Sequence, residues 1–344
     1  MLDIWPPKGI LGALGEWNFM PHKVFIASLA FALFTAGETF ASTGHLYDPL
    51  PPETFDLKWI WDPALLLFVA MGILYVRGLR AFRGNIPVKP WQIGFFFLGL
   101  VIVISALLPP IDPLSDQLFF VHMIQHLMIT NIGVPLMMLG VPFFICVRGI
   151  SPGVRRRVYF PIVRSRPLRL IFKIMSLPLV SLFLFQAAYW FWHVPYYYNL
   201  ALLNDAWHLL EHATFAWASI LLWRNIIDPH PMKSPLKMPV RMLYVMGLMA
   251  SNVILSAFLS FSDDVWYAYV GRPLPDWWKP WNHLDDQRLG GLLMWVPGEF
   301  IDFFVVSLIF IVWSSRERRK DELARKIHLT PPDDVRINVI PADA

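Results

Sequence analysis

Five of the ten histidines in this 344-residue chain sit where an ionisable ring is costly: His122, His126, His193, His208 and His212, each at or within a long apolar stretch. Two pairs are spaced i,i+4, which puts both rings of a pair on one helix face, one turn apart. The pairs echo each other, His122-Met-Ile-Gln125-His126 against His208-Leu-Leu-Glu211-His212. Such spacing suits a metal site. Imidazole serves copper, zinc and iron, and thioethers tilt the preference towards Cu(I). Gln125 and Glu211 share the faces of their histidines and are expected as supporting groups that hold the imidazole tautomers, as metal-bound histidine requires. Met123 and Met294 are expected close to the ligands, although methionine is also a routine core filler. A lone histidine on an apolar helix is ordinarily a helix–helix hydrogen-bond partner. Five of them, four in two matched pairs, point instead to a site, because ionisable groups inside a membrane tend to mark function.

The acidic residues divide in the same way. Asp285 and Asp286 precede Gln287-Arg288-Leu289-Gly290-Gly291, and Asp286 is expected either to help admit a metal or merely to solvate a loop. Glu299 and Asp302 lie deeper in the last apolar stretch, on one face with Trp295. They are expected to form an ion or proton path, or to pair with Asn252. Cys146 is the sole cysteine, which excludes an intramolecular disulfide, a cysteine-based zinc site and an iron–sulfur cluster.

The elements that carry these residues read as membrane spans. The chain is 56% hydrophobic and only 16% charged, with a mean hydropathy of +0.49, against about 25% charge in soluble domains. Crossing the hydrocarbon layer takes about 20 apolar residues. Candidate spans fall at 22–43, 60–80, 91–108, 117–140, 172–192, 206–224, 241–261 and 290–313. Pro135 and Pro297 are expected to kink the fourth and eighth. The expected fold is therefore all-α, a transmembrane bundle of seven core spans plus an extra N-terminal apolar segment, eight in total, with both termini inside. That first segment, from Lys23 to Thr43, also resembles a secretory signal peptide. Residues 1–57 form this N-terminal unit, 58–315 the membrane domain and 316–344 a cytoplasmic tail.

Orientation follows from basic residues. With both termini inside, 25 of the 29 lysines and arginines fall on the inner side, a strong bias under the positive-inside rule. The +4 charge thus reflects topology and not nucleic-acid binding, and Arg155, Arg156 and Arg157 read as an anchor on anionic lipid. In this topology the fourth and sixth spans enter from the outer face and the fifth leaves there. At about 1.5 Å per residue, all five histidines fall within roughly 10–15 Å of that face.

The string His122-Met-Ile-Gln-His126 with Pro135, Leu139-Gly140 and Pro142 resembles the signature of the CtaG-type cytochrome c oxidase assembly factors. Trp192-His193-Val-Pro195 with Tyr198 and Ala201-Leu202, then His208 with Glu211-His212, then Asp286-Gln287 with Gly290-Gly291 and Met294-Trp295 continue that resemblance in order. It covers roughly 58–315 and implies a seven-span bacterial inner-membrane protein that helps place copper in a haem–copper oxidase. It also implies partnership with oxidase subunits and a copper donor protein. The five histidines would be the family's motif histidines and Asp286 a further motif position. The tail after Arg316 and the loop Trp277-Trp278-Lys279-Pro280-Trp281 fall outside the pattern.

Two other functions stay open on sequence. His-x-x-Glu-His is also the inverted zinc-protease pattern, so a zinc-dependent intramembrane hydrolase with Glu211 or Asp286 as general base is the runner-up. A haem or quinone redox protein is the third, although the chain lacks two histidines 13–14 residues apart on one helix.

Overall fold

The computed structural model describes residues 63–82, 88–229, 233–270, 272–279 and 281–329, with side chains through Arg325. The first expected segment, 22–43, lies outside the described residues. Every described element is a helix or a loop between helices. We number the main helices α1 (Pro63–Ala81), α2 (Pro90–Ala106), α3 (Phe119–Leu139), α4 (Pro142–Gly149), α5 (Arg166–Met175), α6 (Pro178–His193), α7 (Pro195–Leu203), α8 (Asp205–Ile226), α9 (Met238–Ser260) and α10 (His283–Leu329).

Four of these, α1, α3, α9 and α10, are long and apolar enough to cross a membrane, or five if the bent pair α5 and α6 counts as one. α2 is apolar but has only 17 residues. α8 has 22 residues, interrupted by the polar side chains that make it interesting: Asp205, His208, Glu211, His212 and Arg224. The surface of the bundle is apolar where that of a soluble protein is polar, and polar groups are buried among the apolar core. Leu66, Leu67, Phe300, Phe303 and Phe304 face outward, whereas His122, Gln125, Glu211, Asn225 and Asp302 are buried. This is the distribution expected where lipid replaces water as solvent.

The sequence-based boundaries differ from the structure in two places. The fifth expected span, 172–192, is not one rod. Leu177 is extended and Pro178 starts a new helix, so α5 and α6 meet at 77°. α5 buries none of its residues. It carries Arg166, Arg169 and Lys173 between exposed Leu170, Ile171 and Ile174. The eighth expected span does not end at 313. α10 runs for 47 residues through Arg316 to Leu329, with Pro297 inside it, so the first part of the expected tail continues the helix.

α3 is the hub, packed by α2, α8 and α10. Its middle, Met128–Gly133, widens into a π turn directly before Pro135, because proline brings no N–H and its ring cannot lie against the carbonyl four residues back. The Thr130 carbonyl in that turn instead receives two donors from α8, the Ser219 hydroxyl at 2.8 Å and the Trp223 indole at 2.9 Å. These bonds lock α3 to α8 below the two histidine pairs. At the α1–α4 crossing, Gly78 and Gly149 lie so near the facing backbone that a Cβ on either would collide with a carbonyl.

Candidate metal centre

Both histidine pairs sit in the first turns of their helices, and the two helices begin at the same end of the bundle. Asn204 starts α8, its side chain accepting from the backbone N–H of Ala206 at 3.0 Å and Trp207 at 3.3 Å. α3 has no cap of its own. Asp286 supplies one from α10, accepting from the N–H of Phe119 at 2.8 Å and Phe120 at 2.9 Å. A carboxylate there also meets the positive end of the helix. The two starts bring four imidazoles together. Ring centroids are 4.4 Å apart for His122–His126, 4.3 Å for His208–His212, 5.3 Å for His122–His208 and 5.5 Å for His126–His212.

Glu211 lies among them. Its Oε2 is 3.7 Å from His122 Nε2 and its Oε1 is 3.3 Å from His126 Nε2. Both carboxylate oxygens lack a hydrogen bond, as do His122 Nε2, His208 Nε2 and both ring nitrogens of His126. Buried polar atoms almost always find partners, and a buried unpaired carboxylate is especially costly. Such a convergence of unpartnered donor atoms is what a cation would satisfy. Two groups, His122/His126/His212 and His122/His208/Glu211, bring one donor atom per residue within 4.8 Å of one another.

His122 has a polar neighbour at each ring nitrogen, Tyr269 at Nδ1 and Glu211 at Nε2. Tyr269 donates to the Ser115 carbonyl at 2.9 Å. Its oxygen is then free to accept from Tyr198, at 2.9 Å, and from His122 Nδ1–H, at 3.4 Å. A proton on Nδ1 would free the Nε2 lone pair for a cation, whereas without a cation the Glu211 carboxylate, which can only accept, draws the proton to Nε2. Tyr269 was not among the residues singled out from sequence. The alternating aromatics Tyr267 and Tyr269 in a short loop were the available signal.

The remaining expected residues take other places. His193 is outside the cluster: its Nδ1 lies 2.7 Å from the Tyr189 carbonyl and its Nε2 3.4 Å from Met123 Sδ. Gln125 does not hold an imidazole. It points to the other side, donating to the Ala106 carbonyl at 2.9 Å and to Asp112 at 3.0 Å. Asp286 is spent on the α3 N-terminus and has no contact with the cluster. Its neighbour Gln287 accepts from Trp266 N–H at 2.7 Å and donates to the Asp264 carbonyl at 3.0 Å. Gly290 admits the Phe119 ring where a Cβ would collide with it. The Asp-Gln-x-x-Gly-Gly stretch is thus a clamp between α10, α3 and the 262–270 loop. Trp278, from the tryptophan-rich loop, stacks on Phe120 at 4.8 Å.

Deeper in, a cavity is lined by His126, Met123, His193, Tyr189, Asn252, Met294 and Asp302 among others, with about 30 Å³ open to the centre of a water molecule. Asn252 bridges α9 to α10, donating to the Met294 carbonyl at 3.0 Å and to Glu299 at 2.9 Å. The expected pairing of Asn252 therefore falls to Glu299. Asp302 is buried with Oδ1 unpartnered.

Comparison with known proteins now adds to this geometry. Residues 73–316 match the family described as cytochrome c oxidase caa3 assembly factor, Caa3_CtaG. The chain belongs to that family. It is also similar to uncharacterized proteins of Mycobacterium leprae, Mycobacterium bovis and Mycobacterium tuberculosis, each 24% identical over 307 residues. That match takes in 83% of this chain but 44% of each relative, so the chain spans less than half the length of the curated relatives it matches. No solved structure matches it significantly. Family membership makes assembly of a cytochrome c oxidase the family-level role.

Proposed function

We propose that this protein carries copper as cargo for a haem–copper oxidase, binding it at His122, His126, His208, His212 and Glu211 and passing it to an oxidase subunit. The observation that carries this reading is the set of unpartnered imidazole and carboxylate atoms converging in one buried place. Imidazole accepts copper, and the absence of any cysteine other than Cys146 leaves histidine as the ligand type at hand. The mechanism is ligand exchange. Neutral imidazoles hold the ion, Glu211 offsets its charge, and the ligands of the acceptor displace them one at a time. There is no turnover and no bond of a substrate is broken.

In this reading the α1–α10 bundle is the seven-span domain, with α2, the α5–α6 pair and α8 crossing beside α1, α3, α9 and α10. The basic residues set the inner side. The cluster then opens near the outer face of the bacterial inner membrane, where a copper donor protein and the oxidase subunits meet it. Asp302, which also lines the cavity, is the group suited to balance protons or ions as cargo arrives and leaves. Zinc is the alternative occupant, because a carboxylate with imidazoles is also a zinc donor set.

The test is the copper content of the oxidase assembled in cells that carry only a His126→Ala or Glu211→Gln variant. The proposal expects variant protein at normal levels in the membrane and oxidase that is copper-poor and weakly active. Fully metallated oxidase in both strains would refute it.

A further inference from the structure

His193 and Met123 present an arrangement that the cluster does not use. The carbonyl of Tyr189 can only accept, so the 2.7 Å contact puts the proton of a neutral His193 on Nδ1. Nε2 then carries a lone pair, and it faces Met123 Sδ at 3.4 Å. A thioether has no hydrogen to give. Two electron-pair donors therefore point at each other, in side chains only 2% and 1% exposed. Their separation is close to that of two ligands on one tetrahedral ion: bonds of about 2.0 Å to nitrogen and 2.3 Å to sulfur place the donors roughly 3.5 Å apart.

Both side chains line the cavity described above, together with buried Met294 on α10 and with His126. His126 is common to the cavity and to the cluster. We propose that His193 Nε2 and Met123 Sδ, with Met294 beside them, form a second and softer metal station for Cu(I). The inference rests on the copper-carrying reading and extends it from one site to two. Cargo passes between them through His126, exchanging an imidazole or carboxylate of the cluster for a thioether. The copper stays Cu(I) and no electron moves. Thioether ligation favours Cu(I) over divalent ions, so the station selects for oxidation state as well as for metal.

The experiment loads the purified full-length chain anaerobically with Cu(I), and in parallel with Ag(I) as a redox-inert soft probe, followed by metal analysis and X-ray absorption. The expected result is two ions per chain with a metal–sulfur shell at about 2.3 Å. Met123→Leu, a volume-conserving change, should melt like the parent, hold one ion firmly and keep at most the Met294 share of the sulfur shell. A His122→Ala/His208→Ala/His212→Ala variant should keep one ion with the sulfur shell. A parent protein with no sulfur scattering, or a Met123→Leu protein with the parent's stoichiometry and spectrum, would overturn the station. A single sulfur-ligated ion in both the parent and the triple variant would support the station while removing the cluster reading.

Discussion

The histidine cluster and the Asp286 corner both lie at the N-terminal end of α3 and each buries a carboxylate, yet they are built on opposite terms. At the corner the two polar side chains are in use: Asp286 takes two backbone N–H groups and Gln287 bonds through both its amide atoms. In the cluster Glu211 and three of the four histidines leave atoms unpartnered. The difference separates scaffold from site. Single unpartnered atoms also occur elsewhere, as at Gln125 Oε1 and Asn225 Oδ1, but only in the cluster, among the described residues, do imidazole nitrogens and a carboxylate without hydrogen bonds converge within ligand distance of one another.

The largest effect is expected at the corner. Asp286→Ala would orphan one buried and one partly buried N–H group at roughly 1–3 kcal/mol each, and the fall in melting temperature of the metal-free protein measures it. Asp286→Asn should lose less, because one acceptor oxygen remains. Glu211→Gln should do the reverse. Removing a buried carboxylate that holds no hydrogen bond relieves a cost, so the metal-free variant should melt no lower than the parent, while Cu(I) affinity in a competitive titration drops by about tenfold or more. If Glu211→Gln destabilised the fold and left affinity alone, the contrast between the two regions would be gone.

How much of this was legible in the sequence depends on what a residue's role is made of. Apolar length revealed the all-helical bundle, and i,i+4 spacing put His122 with His126 and His208 with His212 on common faces, because both are local properties; common depth also groups His193 with them, and the packing sets it apart on Tyr189 and Met123. The partners of Gln125 and Asp286 were not legible. Each is decided by a backbone carbonyl or N–H from another element, 19 and 167 residues away in the cases of Ala106 and Phe119. The bend at Pro178 was written in the chain, but an apolar run continues on both sides of it and hid the break. From spacing alone Glu211 is a supporting group, and only the packing of α8 on α3 puts it between His122 and His126.

Two smaller effects sharpen the contrast. Gln125→Leu should cost about 1–3 kcal/mol by stranding the Ala106 carbonyl, with Cu(I) affinity unchanged within twofold. At the far end of α8, Asp228 pairs with Arg241 at 2.8 Å. Burial pushes its carboxyl up, but the Arg241 hydrogen bonds and the Ser234 N–H outweigh this and hold it below the ordinary value. The pair's contribution is therefore present above the unfolded carboxylate pKa of about 3.9 and lost as pH falls through the lower folded value. Because Asp228 is partly exposed, the effect should stay below about 1 kcal/mol. Acid unfolding of Asp228→Asn, followed from pH 5 to 3, should lack that component and show parental metal binding.

The central claim, that the unsatisfied cluster is where metal binds, is tested most directly by anaerobic Cu(I) titration of the parent protein beside a His122→Ala/His126→Ala/His208→Ala/His212→Ala variant, both checked for helical content. The account predicts tight copper at the cluster of the parent and its loss in the variant at unchanged helicity. Equal copper affinity and stoichiometry in the two proteins would contradict it.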